Sequence, residues 1–168
     1  MSTQPASRTY VAPGHQVLTA YICPRDAAAA IDWYRDVFGA VETYDRFVGP
    51  DGRVGHAEIS IDGAKIMLSD AYPDYGAAAP EPGATTATFA LSLYVPDADA
   101  TLTAAEKAGA TIQRPIEEQA YGSRTGTMID PFGVRWMIST QVREVSEAEM
   151  AKAVNDYSDT GPESGPIG

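Results

Sequence analysis

Residues 26–40 read DAAAAIDWYRDVFGA, and residues 97–110 read DADATLTAAEKAGA. Each stretch opens on an aspartate, Asp26 or Asp97, runs through alanines, and closes on Gly39-Ala40 or Gly109-Ala110. An aspartate accepts from the free N–H groups of a first helical turn, and a glycine tolerates the left-handed backbone that ends a helix. Between those signals Ala30, Ile31, Trp33, Tyr34, Val37 and Phe38 recur at helical spacing. The echo continues downstream. Asp62-Gly63 returns as Phe132-Gly133, and Lys65-Ile66-Met67-Leu68-Ser69 returns as Arg135-Trp136-Met137-Ile138-Ser139. A module repeated at an interval of about seventy residues predicts two similar halves and a pseudo-symmetric cleft.

Working outward, the first module spans 17–70. Alternating apolar positions predict strands over 17–23, 41–48, 54–61 and 64–70, with the helix from Asp26 after the first of them. Pro50-Asp51-Gly52 and Asp62-Gly63 are turn signatures between strands. A linker over 71–85 carries Pro73, Gly76, Pro80, Pro82 and Gly83. The second module, 86–140, repeats the order: strand 86–95, helix 97–108, then strands 111–117, 124–130 and 134–140. Residues 1–16 read as a flexible arm. The tail, 141–168, starts with a short helix over 146–155, opened by the capping-box pair Ser146 and Glu149, and ends in a frayed Gly/Pro-rich stretch.

Composition narrows the classes. The chain has 168 residues, 44% hydrophobic, enough for one sizeable core. A net charge of −11 argues against nucleic acid and against anionic membranes. One cysteine, Cys23, permits no internal disulfide and no zinc-finger spacing. No apolar stretch resembles a signal peptide or a membrane span, so the expectation is a cytoplasmic protein.

Two tandem βαβββ modules resemble the vicinal oxygen chelate superfamily, the glyoxalase/bleomycin-resistance type. The 26–40 stretch is similar to that family's first helix. Gly55-His56-Ala57-Glu58-Ile59, Tyr121-Gly122-Ser123-Arg124-Thr125-Gly126-Thr127 and Asp130-Pro131-Phe132-Gly133-Val134-Arg135-Trp136 resemble its PhnB-like branch. The resemblance covers roughly 17–140. It implies an α+β fold, each sheet curling into half of a cup-shaped mixed sheet with the helix outside. It also implies a homodimer.

With the helix side apolar, alternation assigns the cup side. Tyr21, His56, Glu58 and Met67 fall there in the first module, and Ser92, Tyr94 and Met137 in the second. Tyr121 and Arg124 join them as ligand-binding candidates. Tyr72, Tyr75 and Phe47 could also reach the site. Metal-dependent relatives place two ligands per module on first and last strands. The matching positions here are Thr19, Met67, Ala90 and Met137, none a good ligand for a divalent metal. The expectation is therefore no metal and no cofactor.

The tyrosines suit a planar aromatic guest, and Glu58, Asp70 and Glu118 would suit a cationic one. The sequence therefore points to a metal-independent small-molecule-binding protein. The alternative is a lyase or isomerase using His56 and Glu58 as acid and base. The plainer possibility for the same pair is structural: His56 bonding across the sheet, and Glu58 paired with Arg124 or Arg135. Trp33, Tyr34, Phe38 and Trp136 are assigned to the core.

Overall fold

The computed structural model describes residues 10–160, with side chains to residue 156. The described chain divides after Ala79 into two compact units. The N-terminal residues 1–9 and the end of the tail beyond residue 160 lie outside the description.

The first unit contains β1 (Ala20–Ile22), α1 (Ala27–Phe38), β2 (Val41–Glu42), β3 (Phe47–Val48), β4 (Val54–Ile61) and β5 (Ala64–Leu68). Its sheet runs β1-β5-β4-β2, with β3 also on β4; β1 and β5 are parallel and the other pairs antiparallel. Asp26 caps α1 by accepting from Ala29 N at 2.9 Å, and Gly39 ends it at φ +68°. Asp62-Gly63 takes positive φ at both residues, as a two-residue hairpin demands. Ala30, Ile31 and Tyr34 of α1, with Ala57, Ile59 and Leu68 of the sheet, are fully buried. Of these, Ile31, Ile59 and Leu68 each contribute roughly 1.5–3 kcal/mol on burial.

The second unit contains β6 (Leu91–Tyr94), α2 (Ala98–Lys107), β7 (Thr111–Glu118), β8 (Ser123–Ile129), β9 (Arg135–Gln141) and α3 (Glu147–Thr160). Its sheet runs β6-β9-β8-β7, again with one parallel pair, β6 and β9. The helix start is built as in the first unit: Asp97 accepts from Ala100 N at 2.9 Å. Trp136, Ile138 and Met128 fill this core, and Trp136 Nε1 donates to Asp130 at 2.9 Å. A β-carbon at Gly126 would meet Ile116 Cδ1 at 2.8 Å and Leu102 Cδ2 at 3.0 Å, so glycine lets β8 pass close to α2.

In each unit a side chain at the end of the last strand ties down the helix start. Asp70 accepts from Ala27 N at 2.9 Å, and Thr140 Oγ1 accepts from Ala98 N at 2.8 Å. Asp70 also accepts from Val54 N at 2.7 Å.

Three strands differ from the sequence expectation. The 17–23 strand shortens to β1 because the register Ala20↔Ile66 would set residues 17–18 against the Asp62-Gly63 hairpin and the very start of β5. The 86–95 strand shortens to β6 for the same reason: Leu91↔Trp136 puts its first residues opposite the Pro131-Phe132-Gly133 turn. The 41–48 strand splits into β2 and β3: Thr43 keeps one backbone bond, its N–H donating to Glu58 O at 3.0 Å, and residues 44–46 then leave the ladder. Thr43 reaches Glu58, while Arg46 reaches Glu42 and the carbonyl of Ala28. Among the described residues no helix is long and apolar enough to cross a membrane.

Candidate functional site

The sheet face of the first unit opposite α1 gathers its polar and aromatic side chains. Register sets Tyr21 and Glu58 on either side of Met67, and Phe47 opposite His56. Directly paired residues share a face. These side chains therefore project away from the buried Ala57, Ile59, Ile66 and Leu68.

His56 is the hub of an aromatic cluster. Its ring centroid lies 5.7 Å from Tyr21, 6.2 Å from Tyr44 and 6.4 Å from Phe47. Tyr44 stacks on His56 at 23°, and Tyr44 meets Phe47 edge-on at 6.0 Å. The Tyr21 hydroxyl lies 3.4 Å from His56 Nδ1, donating when that nitrogen carries no proton. Tyr21 is 50% exposed and Phe47 64% exposed, so the cluster presents ring surface outward rather than filling a core. Val41 and Val48 extend the exposed apolar surface.

Next to this platform Glu58 is buried, at 4% exposure. Lys65 Nζ donates to its Oε2 at 3.0 Å, His15 Nε2 to its Oε1 at 2.9 Å, and Thr43 Oγ1 to Oε2 at 3.2 Å. Burial alone would raise the pKa of this carboxyl. The hydrogen bonds and charges of His15 and Lys65 together outweigh that and hold it at about 2. Burial, then the charge of Glu58, pushes the Tyr44 phenol up.

Glu58 therefore pairs with His15 and Lys65, not with Arg124 or Arg135. Arg135 Nε instead donates to Gln113 at 2.8 Å. Arg124 is also misplaced by the sequence expectation. It pairs across the ladder with Thr140, on the α2 side of its sheet, and its guanidinium grips Asp99 of α2 at 2.8 and 2.9 Å. That bidentate pair removes Arg124 from the face carrying the other candidates. A carboxylate with a pKa of about 2 is also a weak base near neutrality, which disfavours Glu58 as an acid–base catalyst. Asp70 is committed to two backbone N–H groups and Glu118 to Arg143, so neither offers a ready carboxylate to a cation.

The second unit carries a different face. Ser92, Met137 and Thr127 share one row, and Tyr94, Ser139 and Thr125 the next. Tyr121 donates to Thr125 at 3.4 Å, and Thr125 and Ser139 lie 2.9 Å apart. This face is a ladder of hydroxyls, of which Thr125, Thr127 and Ser139 are buried, with Tyr94 exposed beside it. Tyr72 lies under the Arg53 guanidinium at 4.1 Å, and Tyr75 is exposed on the linker.

The four positions matching relatives' metal ligands do not make a metal site. Thr19 and Ala90 precede β1 and β6. Met67 has Tyr21 and Glu58 as row neighbours, and Met137 has Ser92 and Thr127. Thioethers and hydroxyls suit neither zinc nor the harder divalent ions, and the one carboxylate is committed to a lysine and a histidine. Among the described residues no three His, Cys, Asp or Glu side chains gather as a metal group.

Sequence reasoning missed Tyr44, His15 and Thr43; it placed Lys65 on the cup face by alternation but not among the ligand-binding residues. His15 reaches Glu58 across 43 positions of sequence, and nothing local announces that contact.

The chain resembles proteins with this architecture. Uncharacterized protein Mb0911c of Mycobacterium bovis is 39% identical over 146 residues, covering 84% of this chain and 94% of the relative. Uncharacterized protein Rv0887c of Mycobacterium tuberculosis is equally similar, over 84% of each chain. The crystal structure of TioX from Micromonospora sp. ML1 superposes with a TM-score of 0.54 at 22% identity, covering 78% of this chain and 100% of that one. The PhnB protein of Bacillus cereus, a putative 3-demethylubiquinone-9 3-methyltransferase, gives 0.57 at 19% identity, covering 74% and 99%. At these identities the two structures speak for the fold alone. The profile of the Glyoxalase/Bleomycin resistance protein/Dioxygenase superfamily matches residues 14–138, across both repeats and both sheets, and the chain belongs to that superfamily.

Proposed function

We propose that this chain is a metal-independent small-molecule-binding protein that holds a planar aromatic compound on the Tyr21–Tyr44–Phe47–His56 platform. The observation that carries this reading is the exposure of a ring cluster centred on His56, next to a buried and fully paired carboxylate. Exposed aromatic surface of this kind costs stability unless it meets a partner, and flat rings are its natural guests. The donor chemistry of the four metal-slot positions supports binding without an ion. The bleomycin-resistance branch of the superfamily name is consistent with sequestration of a compound. Nothing favours the lyase or isomerase alternative, since Glu58 is held far below the range of a useful base.

The test is a thermal-shift and fluorescence screen of flat aromatic natural products and antibiotics. Hits whose affinity falls in Tyr44→Ala support the proposal. A screen with no ligand at high micromolar concentration overturns it. The same reading takes the chain as a homodimer, in view of the exposed Val41 and Val48 on the short strands β2 and β3. Sedimentation giving only monomer at micromolar concentration would refute that part.

A further inference from the structure

The segment just before β1 is folded onto the platform's polar end. His15 N donates to Ala12 O at 3.0 Å, closing a turn through Pro13 and Gly14. Gly14 sits at φ +75°, and a β-carbon there would come within 3.8 Å of Lys65 Nζ. The turn delivers the His15 ring to Glu58, with Nε2 at 2.9 Å from Oε1 and Nδ1 at 3.2 Å from the carbonyl of Pro13. Both of these partners are acceptors only. A neutral imidazole has one N–H and can satisfy one of them; only the imidazolium satisfies both. The chain thus lays a flat ring N–H donor against its own buried carboxylate, beside the aromatic cluster.

We infer that His15 is an internal stand-in for the ligand: the site takes a planar N–H cation of the amidinium type, which displaces His15 from Glu58 Oε1 and lifts the 12–15 strap. This rests on the reading that the platform holds a planar aromatic compound. It names the polar end of that compound and the device that keeps it out. Lys65 of β5 retains Oε2 and keeps the carboxylate ionised while His15 leaves. Glu58 of β4 accepts from the ring on one oxygen, and Lys65 of β5 holds the other.

Benzamidine is the probe, titrated calorimetrically into wild type and His15→Ala. His15→Ala is expected to bind benzamidine roughly tenfold more tightly than wild type, because an internal competitor is gone. Benzamide, the neutral isostere, should show no such gain. His15→Gln, which keeps one neutral donor for Glu58, should fall between. Equal benzamidine affinity in wild type and His15→Ala overturns the inference. Naphthalene separates this failure from failure of the platform reading. If naphthalene binds both proteins while benzamidine ignores His15, the stand-in alone is wrong. If naphthalene binds neither, the platform is wrong as well.

Discussion

Replacing Glu58 by glutamine keeps the shape of the side chain and removes its charge. In the native protein the carboxyl falls from its ordinary 4.5 to about 2. That difference corresponds to on the order of 3 kcal/mol of stability at neutral pH. Lys65 and His15 can both swing toward water once the carboxylate is gone, so the net loss expected is about 2 kcal/mol. For a chain of this size it lowers Tm by about 4–8 °C. The folded-state pKa is depressed, so the contribution is present above the unfolded value and disappears as pH falls through the folded one. Urea unfolding of both proteins, followed by circular dichroism from about pH 5 down to about pH 2, reads this directly. The gap between wild type and Glu58→Gln should be widest at the upper end and close at the lower. Asp51, Asp99 and Glu149 are also depressed, but they titrate in both proteins and cancel in the difference. A gap below about 0.5 kcal/mol, the noise of a neutral surface change, or one that persists unchanged in acid, would refute the account of the cluster.

Other expectations follow from single contacts. Asp70→Ala orphans the N–H groups of Ala27 and Val54 and should cost about 2 kcal/mol by denaturant unfolding; a loss below about 0.5 kcal/mol would deny its role at the start of α1. Thr127 Oγ1 is buried with no protein partner, so Thr127→Val should leave stability unchanged or raise it by up to about 1 kcal/mol, and a clear loss would show that the hydroxyl is satisfied. Arg124→Ala breaks a partly exposed pair with Asp99 and should leave both the unfolding midpoint and ligand affinity close to wild type, a large shift in either counting against this reading. Phe47→Ala should weaken a planar aromatic ligand about 5- to 10-fold, an edge or stacking contact being of that order.

The helices were legible because their signals are local. Asp26 and Asp97 bond within their own first turns, and Gly39 ends its helix four residues from its acceptor, Arg35 O. Strand faces were legible where period-two alternation is strong, as from Val54 to Leu68. Strand ends were not. Where β1 and β6 stop depends on where the partner strand turns, and neither sequence carries the other's register. The break between β2 and β3 has a similar origin, since Arg46 turns away to the carbonyl of Ala28, a partner elsewhere in sequence.

Within the site, Tyr21, His56, Glu58 and Met67 share the face that alternation assigned to them. Arg124 does not, because a long side chain at a strand position follows its ion-pair partner, and Asp99 lies on the helix side. His15 was read with the arm because its only strong contact is tertiary. The same absence of local signal hid the pairing of Glu58, and with it the reason the carboxylate is held in place and ionised.

The central claim is ligand binding on the aromatic platform without a metal. Calorimetric titration of a planar aromatic hit into chelator-treated protein, wild type against Tyr44→Ala, tests it most directly. The account predicts that wild-type affinity survives chelation and that Tyr44→Ala weakens it about 5- to 10-fold. Binding that is lost on chelation and restored by a divalent metal, or that is indifferent to Tyr44, would contradict it.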